Sequence, residues 1–293
     1  MNVIGVQFLR NSVSVAYYNK KKLLGKTIEV ENVIGDSDYV IYLNKIFEEM
    51  KLLKGGKYKV VISLPTDLVE TFTLKQLVPI TKKFMDKNKK HELIIGQIES
   101  VLEKSTHEYI IEYDIVSEQQ LYNNKMLTTI LNIKIDNCTK YINKITTFKN
   151  VMIIAVDTEY EALRRLIPIE IKEVVIINFF KDDNEMVGIY IYIGSKLIGL
   201  RYLHKRLYDS DSIVSEVERM IVYCKTFYRE LNINNWFVFG KKIEIEELLK
   251  NENVIQHEIS TCSFAVSAGL AIKEDYEKRK VINRKGGASK NAI

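Results

Sequence analysis

Four histidines, three cysteines and a scatter of acids are the side chains here that could hold a metal or attack a substrate. Metal ligands come at short, patterned spacings. His91, His107, His204 and His257 lie far apart, with no HExxH pattern and no cysteine to pair with, so they fit solvent or core positions. Cys138, Cys224 and Cys262 form an odd, scattered set without a CxxC spacing, which supports neither a disulfide framework nor a zinc site. A nucleophile elbow of the GxSxG type does not occur. Nor does a GxGxxG dinucleotide loop. Gly55-Gly56-Lys57-Tyr58 lacks the hydroxyl residue after lysine and the upstream glycine of a phosphate-binding P-loop, and is expected to end a helix instead. Asp157-Thr158-Glu159 opens a predicted helix, where its acids serve as cap and dipole partners. An acid at that place could also orient a water.

Charge narrows the classes further. The net charge is +5, but Lys278, Arg279, Lys280, Arg284, Lys285 and Lys290 crowd the last sixteen residues without an acid. Without those six, 37 basic residues face 38 acidic ones, so the body is neutral and a nucleic-acid-binding face is not expected. The basic stretch, with Gly286-Gly287 and no apolar periodicity, fits a flexible tail. It equally fits a juxtamembrane or linker segment of a chain continuing past Ile293, where anionic lipid would attract it by about 1 kcal/mol per basic residue. The lysines at 82–83 and 87–90 fit a solvated loop better than a partner site. The longest apolar run, Val174 to Phe180 broken by Asn178, is far below the ~20 residues that cross a bilayer. No signal peptide is expected at Met1, and a cytosolic setting follows.

Positioning falls to a mixed α/β framework with an internal duplication. Alternation predicts strands near 2–8, 12–18 and 24–34, a helix capped by Asp36 or Ser37 and ended by Gly55-Gly56, and a buried strand over 58–64 stopped by Pro65. The second half predicts strands at 174–180, 186–193 and 196–203. A helix capped by Ser210 or Asp211 runs to about 231, and a strand at 236–239 follows. A helix (243–250), a strand (253–259) and a helix (263–274) complete it. The first half matches this order through a helix (137–149), a strand (151–156) and a helix (158–167), once about 66–136 is treated as an insertion. That insertion has its own predicted strands at 68–74, 109–116 and 126–135 and a helix at 92–104. Val69, Phe72 and Leu74 mark its first strand, which lies outside the duplicated core and so is a natural sheet edge.

Two tandem copies of a three-strand meander followed by alternating helices and strands resemble the actin, sugar-kinase and Hsp70-type ATPase superfamily. Within it, the chain is similar to the type IV pilus assembly PilM family, relatives of FtsA, from Asn2 to about Lys273. The stretches that carry the likeness are VVISLPTDLVETFTL (60–74), IIGQIESVLEKSTHEYIIEYDIV (94–116), VMIIAVDTEYEALRRL (151–166), SEVERMIVYCKTFY (215–228) and AVSAGLAI (265–272). The resemblance implies an actin-like, duplicated ribonuclease-H-like α/β fold of two domains. These would be 1–170, carrying an FtsA/PilM-type inserted subdomain, and 171–275, with a basic flexible tail at 276–293.

The resemblance also implies where a nucleotide would sit, and this sequence departs there. Backbone amides at glycine turns approach phosphate, and acids hold Mg²⁺. In the first phosphate hairpin Gly5 is kept, but Gln7 stands at the aspartate position, Leu9 at the glycine and Ser14 at the lysine. In the second, Asn178 replaces the aspartate and Phe180 the glycine. The adenosine loop is reduced to Gly240-Lys241, and only the Glu216/Arg219 pair is intact. Neutral amides in place of both acids argue against ATP hydrolysis, so no cofactor is expected beyond weak ATP/Mg binding through backbone, Lys241 and Arg219. The resemblance thus implies a non-catalytic adaptor at the cytoplasmic face of the inner membrane, peripheral through its partners. It would hold the N-terminal peptide of a PilN-like membrane protein beside the insertion and link it to the pilus motor ATPase and platform protein. An ATP-binding switch of the pilus machine, and a GspL-like type II secretion component, are the alternatives.

Overall fold

The computed structural model describes residues 2–9, 12–19, 22–29, 38–52, 56–64, 69–79, 109–121, 124–135, 138–180, 186–240 and 264–278, and single positions between 92 and 100. It falls into two compact units, Met1–Pro65 with Tyr141–Ile293, and Thr66–Lys140.

The larger unit holds two sheets of the same design. In the first, β1 (Val3–Phe8), β2 (Ser12–Tyr18) and β3 (Leu23–Glu29) form an antiparallel meander. Helix α1 (Asp38–Glu49) then leads to β4 (Tyr58–Ser63), which lies parallel to β1. Helix α2 (Cys138–Thr146) leads to β8 (Val151–Asp157), parallel to β4, and the strand order is β3-β2-β1-β4-β8. The second sheet repeats this with β9 (Glu173–Phe179), β10 (Met186–Ile193), β11 (Lys196–His204) and β12 (Trp236–Phe239), in the order β11-β10-β9-β12. Helix α4 (Ser210–Lys225) connects β11 to β12, as α1 connects β3 to β4. Strands β1, β4 and β9 are runs of Val and Ile because parallel neighbours and covering helices bury both their faces. Two short helices, α3 (Glu159–Leu166) and α5 (Ala265–Ala271), follow the two halves at corresponding places and pack on each other.

Helix ends depart from expectation in instructive ways. The first helix stops at Lys51, not at Gly55-Gly56. Lys51 takes a left-handed φ of 55°, its N–H bonds Glu48 O at 3.0 Å, and the Leu52 N–H bonds Phe47 O at 2.8 Å. That pair of bonds satisfies the helix's last carbonyls before any glycine is reached. The long helix of the second half is capped by Asp209, whose carboxylate accepts the Ser212 N–H at 2.9 Å, and it ends at Lys225. An N-cap side chain accepts an amide two or three residues on, and Asp209, with extended backbone before the first turn, takes the third.

The smaller unit is a three-stranded antiparallel sheet of β5 (Val69–Pro79), β6 (Tyr109–Leu121) and β7 (Asn124–Ile135), ordered β5-β7-β6. Among the described residues, strand β5 pairs with β7 and stands at the end of the order. The helix expected at 92–104 and the lysine-rich stretch at 82–90 lie almost entirely outside the described residues, as do the elements expected at 243–259, Lys241 and the tail from 279 onward. Residues 273–278 are helical, and Tyr276 is buried.

Candidate functional site

The first hairpin is built into the interior from both sides. Gln7 lies opposite Ser14 in the β1–β2 register, and the Leu9 N–H bonds Ser12 O at 3.0 Å. Gln7, Leu9 and Ser14 are all buried. From α1, the Tyr39 O–H donates to Leu9 O at 2.8 Å. From the opposite face, α5 lies so close that a side-chain carbon on Gly5 would stand 2.0 Å from Ser267 O. Ser14 is consumed in a chain of hydroxyls. Thr27 donates to it at 3.0 Å, it meets Ser267 Oγ at 3.0 Å, and Ser267 donates to Phe264 O at 2.9 Å. Because Ser267 gives its proton to a carbonyl, Ser14 must give its own to Ser267.

The second hairpin begins at Asn178, opposite Gly188 on β10 and Phe239 on β12. The Phe180 N–H bonds Met186 O at 2.9 Å and its ring lies 6.0 Å from that of Tyr202. Tyr190 folds back over Gly188, where a side-chain carbon would come within 2.0 Å of its hydroxyl. That hydroxyl and the Tyr202 hydroxyl both donate to Oε1 of Glu159, at 3.3 and 2.6 Å. Burial, reinforced by the Glu159 charge, pushes both phenols well above their usual range, so they stay neutral donors. Glu159 belongs to the first turn of α3, so this buried carboxylate fastens the second sheet to a helix that follows the first.

Helices α3 and α5 cross where side chains vanish. A side-chain carbon on Gly269 would stand 1.9 Å from Ala162 O, so only glycine allows this approach. Around the crossing, Arg164 donates to three carbonyls: Gly194 at 2.8 Å, Ile171 at 2.9 Å and Ile167 at 3.2 Å. Asp157, at the end of β8, takes Lys273 Nζ at 2.7 and 2.8 Å and Arg165 Nη2 at 2.8 Å. Burial alone would push the Asp157 carboxyl up, but the Arg165 and Lys273 charges outweigh it and hold it below the ordinary carboxylate value. The expected capping role is corrected: Thr158 is the N-cap residue and makes no side-chain cap bond, and Asp157 takes Arg165 and Lys273 instead. Glu159 does stand in the first turn, where an acid faces the helix dipole.

Glu216 and Arg219 do form a pair, Nη1 to Oε1 at 2.5 Å, but with a third member that spacing could not reveal. Arg201 on β11 pairs with the other oxygen by charge, Nη1 to Oε2 at 2.6 Å, without hydrogen-bond geometry. Tyr202 points toward Glu159, so its neighbour Arg201 projects from the opposite face of the sheet, and Glu216 lies on that face too. Gly240 follows β12 directly.

The polar groups lining the hairpin stems do not match what Mg²⁺-triphosphate draws on. Gln7 and Asn178 offer neutral amides in place of carboxylates, Ser14 is spent on Ser267, and Phe180 and Tyr190 place rings on the second stem. Sequence reasoning missed Glu159, Arg164, Tyr190, Tyr202, Arg201 and Ser267 as site-building residues. Their partners lie up to hundreds of positions away, and only the fold joins them.

No family profile and no curated protein matches this chain in sequence. Among solved structures it is similar to a PilM–PilN type IV pilus biogenesis complex, at 12% identity over 92% of this chain and 98% of that one, with a TM-score of 0.59. It also resembles an inorganic polyphosphate/ATP-glucomannokinase from Arthrobacter sp. strain KM, at 11% identity over 94% and 99%, TM-score 0.49. A third is a Bacteroides thetaiotaomicron protein with an actin-like ATPase fold, at 12% identity over 85% and 86%, TM-score 0.41. The chain has the actin-like α/β fold.

Proposed function

We propose that this protein is a non-catalytic adaptor of a type IV pilus inner-membrane complex, holding the N-terminal peptide of a PilN-like membrane protein on its inserted sheet. The observation that carries the reading is the state of Ser14. Where an ATP-using relative would present a lysine to phosphate, a fully buried hydroxyl is bonded on both sides within the protein. The fold shared with the structure of a PilM–PilN complex supports the pilus setting, and the place of β5 at the end of the sheet formed by the described strands supports peptide capture by strand addition, which uses main-chain hydrogen bonds. The protein would work at the cytoplasmic face of the inner membrane, through its partners, and pass contact on to the motor ATPase and platform.

The test is a pair of titrations on the full chain. A ligand at a hundredfold excess over Kd stabilises the folded state by about 2.7 kcal/mol, which a melt reads easily. The expected result is no shift with millimolar Mg-ATP and a clear shift with a PilN-like N-terminal peptide. A shift with Mg-ATP alone would replace the adaptor with a nucleotide switch.

A further inference from the structure

Both guanidiniums of the Arg201–Glu216–Arg219 group are exposed, at 47% and 74%, while the carboxylate that joins them is 5% exposed. Each arginine spends one nitrogen on Glu216. A guanidinium carries five N–H donors in a rigid fork, so the remaining donors of two forks point outward with one net positive charge between them. One turn further along α4, on the same exposed stripe, stand Val222 at 64% and Tyr223 at 53% exposure, and the Tyr223 ring lies 5.3 Å from that of Phe227. Burying the Glu216 carboxylate carries a desolvation cost that the two arginines offset, while the arginines themselves stay largely in water. Arginine and tyrosine fixed in place are, however, what interface anchors are made of.

We propose that the exposed patch of Arg201, Arg219, Val222 and Tyr223 docks a partner protein through a segment that sets a carboxylate beside apolar side chains. The carboxylate fits the fork by paired N–H bonds, and the apolar flank covers Val222 and Tyr223. A membrane surface is the poorer fit. Lipid attraction grows with the number of basic residues, and this fork offers one net charge, with Glu218 on the same stripe. The surface lies in the unit that does not contain β5, and the proposal does not depend on the peptide site proposed above.

The experiment titrates full-length protein into a short fluorescent peptide of Glu, Leu and Phe and reads anisotropy. Controls replace every Glu by Lys, or every Leu and Phe by Ser. Salt-sensitive binding of the first peptide alone is expected, weakened at least about tenfold, or 1.4 kcal/mol, by Arg219→Ala and by Val222→Asp. Both sites are exposed and Arg201 still neutralises Glu216, so the melting temperature of each variant should stay near wild type. The proposal fails if the Lys peptide binds equally well, if neither substitution weakens binding, or if phosphatidylglycerol vesicles bind through these residues and the Glu peptide does not. Loss of PilN-like peptide capture would leave this result untouched, so the two readings fail separately.

Discussion

Asp157 carries more of the fold than its place before a helix would suggest. Its carboxylate is buried between Arg165 and Lys273, residues 108 positions apart in the chain, and holds the end of β8 to the helix after α5. Replacing it by asparagine leaves two cations facing a neutral amide, a break that costs about 3 kcal/mol when the pair is buried. The pH dependence follows from the lowered carboxyl value. The ion pair's stabilisation is fully present above the unfolded-state value of about 3.9 and is lost as pH falls through the lower folded-state value. Urea midpoints of wild type and Asp157→Asn should therefore differ widely at pH 7 and converge below about pH 4. A constant gap across that range would mean that the carboxylate charge is not what matters. None of this is legible in the sequence, where Asp157-Thr158-Glu159 has the pattern of an ordinary helix start. Gln7, Ser14 and Asn178 stand out in the sequence as departures from the pattern it resembles, but the partners Thr27, Ser267 and Tyr190 were not legible there.

Elements were easier to read than their ends. Apolar alternation in β1 and β2 and unbroken apolar runs in β4 and β9 determine strands through burial, which is a property of the local pattern. Helix ends depend on single hydrogen bonds, and Lys51 and Asp209 took roles that Gly55 and Ser210 or Asp211 were expected to fill. Strand β5 illustrates how an element can carry function through its backbone. It pairs with β7 on one side, so alternate amides face β7 and the rest face away. Prolines placed singly at Thr71 and Phe72 sample both sets, and each removes one donor. One should unsettle the β5–β7 ladder and lower the melting temperature, while the other should abolish PilN-like peptide capture with the melting temperature nearly kept. Capture surviving both prolines would remove β5 from the mechanism.

At the scale of the molecule, the duplication was visible because both halves repeat a meander, a helix and a parallel strand in the same order. What joins the halves was not visible. Arg164 reaches the Gly194 carbonyl, Glu159 takes two tyrosines and Gly269 meets Ala162, all across separations that no periodicity encodes. These contacts tie the two halves together, and the proposed adaptor role rests on the buried, doubly bonded state of Ser14. Hydrogen exchange of the full chain with and without a saturating PilN-like N-terminal peptide tests it most directly. Slowed exchange concentrated in Val69–Pro79, with the β1–β2 and β9–β10 hairpins unchanged, is the predicted footprint. Protection of those hairpins with β5 unchanged would contradict it.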